Sequence, residues 1–260
     1  MGRSGSGSGY WQEIAGHWVL LPPRPQGIIH FLGGAFAGTT PHVSYRWLLE
    51  RLAWQNFGVI ATPFTVGLDH QRLATDIHRR LLRVWTSLGV SEHLPIYGLG
   101  HSMGCKLHLL LGSLWPAPRA ANLFMAYNNS PLRGAIPGLA NLQNAPLLDQ
   151  LPLEFTPSPG ATLELVRRDY GVARNLLIRF AEDTLDETPA LAETLRRRFP
   201  QQLRVVNLPG THVTPLGLEV NWSAGRAFTP MDAVGQWMKQ WAYQHLYALE
   251  TTLLQELAVG

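Results

Sequence analysis

The sequence predicts an α/β protein, a single domain in which a largely parallel central sheet lies between two layers of helices. Three observations point there. Short apolar runs rich in β-branched residues alternate along the chain with longer segments of helical period, the pattern of strands joined by crossover helices. A length of 260 residues is enough for one three-layer core of this kind. A share of 46% hydrophobic and 15% charged residues belongs to a folded globular chain, since a disordered one would be poorer in apolar residues and richer in charge.

The elements follow in order. Residues 1–9 are a Gly/Ser tract, a flexible tail or tag remnant with no bearing on the fold, and the domain is expected over 10–260. Strands are expected at 17–21, 27–32, 57–63, 94–98, 122–127, 175–181 and 203–208, each a short apolar run. Helices should fill the gaps between them. Residues 41–54 repeat apolar residues at helical spacing, 69–88 do so with Arg79, Arg80 and Arg83 outward, and 102–115 are almost wholly apolar, as in a buried helix. A last helix over 230–257 places Trp237 and Trp241 four residues apart on one side, a stripe that would pack on the sheet. Residues 131–160 break the alternation with prolines among leucines. They read as an insertion that caps the crevice beyond the carboxyl ends of the strands, or as an ordinary long connection.

Charge and cysteine usage exclude several classes. A net charge of +3 from scattered cations offers no stripe to track a phosphate backbone, so nucleic acid is not an expected partner. A single cysteine, Cys105, can close no internal disulfide, which favours a reducing, cytoplasmic setting. No run of eighteen or more apolar residues is present, so any membrane contact would be peripheral. No histidine pair has metal-ligand spacing with a carboxylate nearby, and neither a metal nor another cofactor is expected.

The chemistry is carried by Gly100-His101-Ser102-Met103-Gly104, which matches G-x-S-x-G between an apolar strand and a helix. In that setting the serine sits on a sharp strand-to-helix turn with its hydroxyl exposed, and the glycines keep neighbouring backbone from clashing. The other reading of the string is a glycine-rich turn that binds an anion at a helix N-terminus, which would need further donors. If Ser102 is a nucleophile, the acid and then the base should follow it in the chain. His212, in the turn after strand 203–208, has the right order and place for the base. Four carboxylates, Glu182, Asp183, Asp186 and Glu187, follow strand 175–181. Asp183 falls at the usual acid position, with Asp186 as the alternative if it does not instead cap the next helix. The oxyanion hole needs two backbone N–H groups. Met103 would give one, and Gly34 or Ala35, in the loop after strand 27–32, the other. Of the remaining histidines, His101 and His108 are expected to pack beside the elbow helix, and His78, His93 and His245 to face solvent.

With these residues in view, the chain resembles the α/β-hydrolase superfamily. Within it, the sequence is most similar to a family found in cyanobacteria and plants and designated domain of unknown function 1350. The motifs that carry this are His30-Phe31-Leu32-Gly33-Gly34-Ala35-Phe36, Ala61-Thr62-Pro63-Phe64, Asp69-His70, Gly100-His101-Ser102-Met103-Gly104 and Leu208-Pro209-Gly210-Thr211-His212-Val213-Thr214-Pro215. The likeness covers nearly the whole chain after its first residues. It implies the α/β-hydrolase fold and a Ser-Asp-His site at positions 102, 183 and 212, and it implies no substrate. The oxyanion loop departs from the wider pattern, being two residues longer than the usual His-Gly opening. Asp69-His70 has no place in the general site, and Asp69 is expected to cap a helix. The expected activity is hydrolysis of a carboxylic ester or thioester through an acyl-enzyme, on a small-molecule substrate with an apolar acyl group. The alternatives are peptidase, acyl-transfer or lyase chemistry on the same residues, or a binding or scaffold protein that keeps the elbow without turnover.

Overall fold

The computed structural model describes residues 10–89, 93–115, 118–130, 154–217 and 230–259, with side chains in the last stretch from Tyr243 onward. Eight strands form one sheet: β1 (Gln12–Ile14), β2 (His17–Leu20), β3 (Gly27–Leu32), β4 (Phe57–Ala61), β5 (Ile96–His101), β6 (Ala121–Met125), β7 (Asn175–Phe180) and β8 (Leu203–Leu208), in the order β1-β2-β4-β3-β5-β6-β7-β8. The pairs β1–β2 and β2–β4 are antiparallel, and every pair from β4 to β8 is parallel. Strands β3, β4 and β6 are buried at every residue, so apart from His30 and Asn122 their sequences are apolar runs and do not alternate.

The helices are α1 (Pro41–Ser44), α2 (Arg46–Trp54), α3 (His70–Leu88), α4 (Met103–Leu114), α5 (Pro159–Asp169), α6 (Thr188–Arg198) and α7 (Pro230–Leu257). One face of the sheet is covered by α2 and α7 through Leu48, Leu49, Leu52, Leu249, Leu253 and Leu257. The other is covered by α3, α4, α5 and α6. This is the α/β-hydrolase fold.

The strand order sets the position of the site. The chain leaves β3 toward β4 on one side and returns to place β5 on the other, so the order reverses between β3 and β5, and the loops that follow these two strands diverge from a shared crevice. The register Leu32↔Gly100 brings the end of β3 level with the start of the G-x-S-x-G turn. In the same way Phe180↔Leu208 aligns the ends of β7 and β8, which lead to Asp183 and His212.

Three expectations are corrected. The single helix over 41–54 is broken at Tyr45 (φ −118°, ψ 20°), whose ring is fully buried and whose hydroxyl is taken up by the site described below. His245 is buried, because it lies on the side of α7 that packs toward the sheet. His78 is only half exposed, since it stacks on Trp115. Asp69 caps α3 by accepting a hydrogen bond from the Arg72 N–H at 2.8 Å. Most of the insertion, 131–153, lies outside the described residues, as do the side chains of Trp237 and Trp241. Its end is firmly docked: Thr156 bridges to Asp69, Phe155 stacks on His70, and the buried Lys106 of α4 donates to Pro157 O at 2.8 Å.

A polar chain runs through the face between the sheet and α4. Arg119 donates to His108 Nδ1 and His30 Nδ1 at 3.1 and 3.3 Å, His30 Nε2–H donates to Thr62 Oγ1 at 2.9 Å, and Thr62 passes its hydroxyl hydrogen to His17 Nδ1 at 2.8 Å. With an arginine at its head, each imidazole must accept at Nδ1 and therefore stays neutral. Burial depresses His17, His30 and His108 in the same direction, His17 to about 4.

Candidate active site

Strand β5 ends at His101 and α4 starts at Met103, which leaves Ser102 alone to make the turn. Its backbone has φ 53° and ψ −119°. This is the conformation of the first central residue of a type II′ turn, ordinarily glycine's. The flanking glycines are required sterically. A Cβ on Gly100 would lie 2.8 Å from Cys105 Cα, and one on Gly104 would lie 2.0 Å from Leu32 O. Both obstacles are backbone, so neither can swing aside. Cys105 fills the inner side of the turn, fully buried, its thiol donating to Met125 O at 3.4 Å.

The structure brings three of the sequence-predicted residues into one line. His212 Nε2 lies 3.0 Å from Ser102 Oγ, and His212 Nδ1 lies 2.9 Å from Asp183 Oδ2. The Asp183 carboxylate has no exposed surface, while the His212 ring keeps 18%. Burial resists ionisation of Asp183, but the hydrogen bonds from His212 and from the Leu185 N–H (2.8 Å) outweigh it and hold the acid below its usual range. A carboxylate that only accepts places the proton on Nδ1, which leaves the Nε2 lone pair facing the serine hydroxyl. Asp186 is not part of this line. Its Oδ2 pairs with Arg179 Nε at 2.5 Å and its Oδ1 accepts from the Thr188 N–H at 3.1 Å, a structural role at the start of α6.

The oxyanion loop corrects one expectation. The Gly34 N–H donates to Tyr45 Oη at 2.8 Å and is therefore not free for a substrate oxygen. The adjacent peptide is held differently. Gly34 O accepts from the Gly38 N–H at 2.8 Å, and Ala37 N–H donates to Ala35 O at 2.7 Å across Phe36, whose φ of 63° and ψ of −54° make a γ-turn. In a planar trans peptide C=O and N–H point oppositely, so fixing Gly34 O turns the Ala35 N–H away from Gly38. Among the described residues neither the Ala35 N–H nor the Met103 N–H has an acceptor.

Sequence reasoning missed two members of the site. The sequence points to His101 only as a packing residue, and it gives Tyr45 no role beyond its place in the segment 41–54 expected as one helix. Tyr45 Oη lies 2.8 Å from His101 Nδ1, and His101 Nε2 lies 2.8 Å from the backbone carbonyl of His212. Position 101 is the variable residue before the nucleophile. A polar ring there, directly beside Ser102, was the one signal available.

The family model for the description Protein of unknown function (DUF1350) matches residues 10–259. No curated protein matches the chain. Among solved structures, carboxyl esterase 2 from the mycorrhizal fungus Tuber melanosporum is similar at 17% identity and a TM-score of 0.55, over 86% of this chain and 81% of its own. A monoacylglycerol lipase from Paleococcus ferrophilus is similar at 13% and 0.52, over 88% and 99%. A fluorophosphonate-binding serine hydrolase of Staphylococcus aureus, solved with substrate bound, is similar at 13% and 0.54, over 91% and 96%. At these identities the likeness establishes the fold. With the family match running over almost the full length, the chain belongs to the DUF1350 family, and its fold is that of the α/β-hydrolases.

Proposed function

We propose that this protein is a serine hydrolase that cleaves a carboxylic ester or thioester through an acyl-enzyme on Ser102. The observation that carries the proposal is the continuous line Ser102 Oγ–His212 Nε2 and His212 Nδ1–Asp183 Oδ2, at 3.0 and 2.9 Å. In the proposed cycle Ser102 Oγ attacks the acyl carbon while His212 Nε2 takes its proton. The carbonyl π electrons move onto oxygen, which the Met103 and Ala35 N–H groups receive. The intermediate collapses with loss of the alcohol or thiol, which leaves with the proton from His212. Water then repeats the sequence on the acyl-serine and releases the acid. Asp183 holds the Nδ1–H tautomer and stabilises the imidazolium while it exists.

An apolar acyl group fits the surroundings. Phe36, Leu185 and Val213 are exposed large hydrophobic residues, and each is within two positions of Ala35, Asp183 or His212. Exposed apolar side chains gathered about one site mark a surface that meets apolar ligands. The test is labelling with a fluorophosphonate probe followed by peptide mapping, together with turnover of p-nitrophenyl acetate and p-nitrophenyl octanoate. Label on Ser102 and its loss in Ser102→Ala, with faster turnover of the longer ester, are expected. A wild-type protein that takes no label and cleaves neither ester refutes the hydrolase reading and favours the scaffold alternative.

A further inference from the structure

We propose that Tyr45 and His101 are positioning residues that form a strut between the oxyanion loop and the loop of the base, fixing the distance between them. The proposal rests on the reading of Ser102 as nucleophile and goes beyond it, since neither residue touches the reacting atoms. Hydrogen bonds link the Gly34 N–H to Tyr45 Oη, Tyr45 Oη to His101 Nδ1, and His101 Nε2 to His212 O, each 2.8 Å long.

Every proton in the chain is determined by its two ends. Gly34 N–H can only donate and His212 O can only accept. His101 must then carry its hydrogen on Nε2, its Nδ1 must accept, and Tyr45 must donate its hydroxyl hydrogen to Nδ1 while accepting from Gly34. No hydrogen can be turned round without leaving a buried polar group unsatisfied and bearing its full desolvation penalty. The strut is therefore directional and stiff. It is also dry, because Tyr45 is fully buried and His101 is 3% exposed. Burial, and next the neighbouring His212 ring, hold His101 down to about 3, so the link stays intact while His212 takes up and gives up its proton.

The placement explains why such a link is useful. His101 joins the nucleophile covalently through the next peptide bond, the base through its Nε2, and the oxyanion loop through Tyr45. A Cβ on Gly34 would lie 3.1 Å from His101 Nδ1 and 3.3 Å from Ser102 Cβ, so the loop rests directly on this pair. The Tyr45 break between α1 and α2 is what allows the hydroxyl to reach it. A shift of about 1 Å in such supporting groups is enough to cost about a hundredfold in rate.

The experiment compares Tyr45→Phe, His101→Leu and His101→Gln with wild type. Rates are expressed per site titrated by the fluorophosphonate probe, so that misfolded protein does not count. For Tyr45→Phe and His101→Leu we expect kcat on p-nitrophenyl acetate to fall about tenfold to a hundredfold with KM unchanged. The midpoint of the pH profile should not move. His101→Gln, whose amide can replace the donor to His212 O, should recover part of the loss. Per-site rates within twofold of wild type in both disruptive variants overturn the strut, as does a rise in KM alone. A readout free of turnover accompanies these: the NMR signal of His212 Nδ1–H, bonded to Asp183, should shift or broaden in both disruptive variants. An unchanged signal in both overturns the strut whether or not the protein hydrolyses esters. A wild type that cleaves no ester and takes no label overturns only the hydrolase reading.

Discussion

Replacing Ser102 by glycine and, in parallel, by alanine separates the strain in the turn from the chemistry of the hydroxyl. Both variants lose Oγ and its contact with His212, so that loss cancels when the two are compared. Alanine keeps a Cβ at φ 53° and ψ −119°, whereas glycine does not. A non-glycine residue held in so sparse a region costs about 1–3 kcal/mol. Glycine gives back about 0.4–1 kcal/mol through the greater entropy of its unfolded chain. The glycine variant should then be the more stable of the two by about 1.3 kcal/mol, the difference between the middles of the two ranges. For a chain of this size, about 2–4 °C per kcal/mol converts this into about 3–5 °C in Tm. Scanning calorimetry and urea unfolding would read it, and both variants should be blank toward the fluorophosphonate probe. A glycine variant that melts at or below the alanine variant would refute the argument that the turn stores strain around its serine.

Three further outcomes follow from the same structure. Asp183→Asn should lower kcat by about 10³–10⁴-fold, because an amide can present its N–H to His212 and fix the wrong tautomer. Asp186→Asn should spare the rate per site and lower Tm, because it weakens the pair that the buried Asp186 carboxylate makes with the half-exposed Arg179; the reverse ranking in steady-state assays would overturn the assignment of the acid. Stability should fall as pH drops below 6.5. His17 and His70 are held to about 4 and His101 to about 3, against an ordinary 6.5, mainly by burial. Between those values the unfolded chain binds the protons that the folded one refuses, so stability is full above pH 6.5 and is lost on the way down. A Tm unchanged between pH 7 and 5, where carboxylates remain largely ionised, would contradict this. Gly104→Ala should be destabilised by more than about 2 kcal/mol, since its Cβ would meet the Leu32 carbonyl in fixed backbone; urea midpoints within error of wild type would show that α4 can move.

What the sequence made legible was what burial and backbone sterics write into it. A strand buried on both faces leaves a near-continuous apolar run, which is why β3 was legible to the residue. The short, largely exposed β1 left no such trace. The turn around Ser102 was readable because it demands glycine at 100 and 104. Partner choice in space was not readable. Four carboxylates followed β7, and only the geometry shows which one meets His212. Gly34 and Ala35 were equivalent candidates until Tyr45, eleven positions on, was seen to take the Gly34 N–H. Tyr45 itself lies inside the segment 41–54 expected as one helix, and periodicity records that a face is inward, not what a hydroxyl on it finds there.

The placement of Cys105 has a practical consequence. Its thiol is wedged between α4 and β6, it is the chain's single cysteine, and burial raises its pKa well above the ordinary range. A maleimide, which reacts with the thiolate, can reach it only after α4 lifts from the sheet, and that motion takes the Ser102 turn apart. The mass added by the reagent over time therefore clocks the opening of this turn in the unmodified native chain, with no probe to engineer. Comparing that clock with unfolding followed by tryptophan fluorescence tells whether the elbow opens alone or only together with the whole domain.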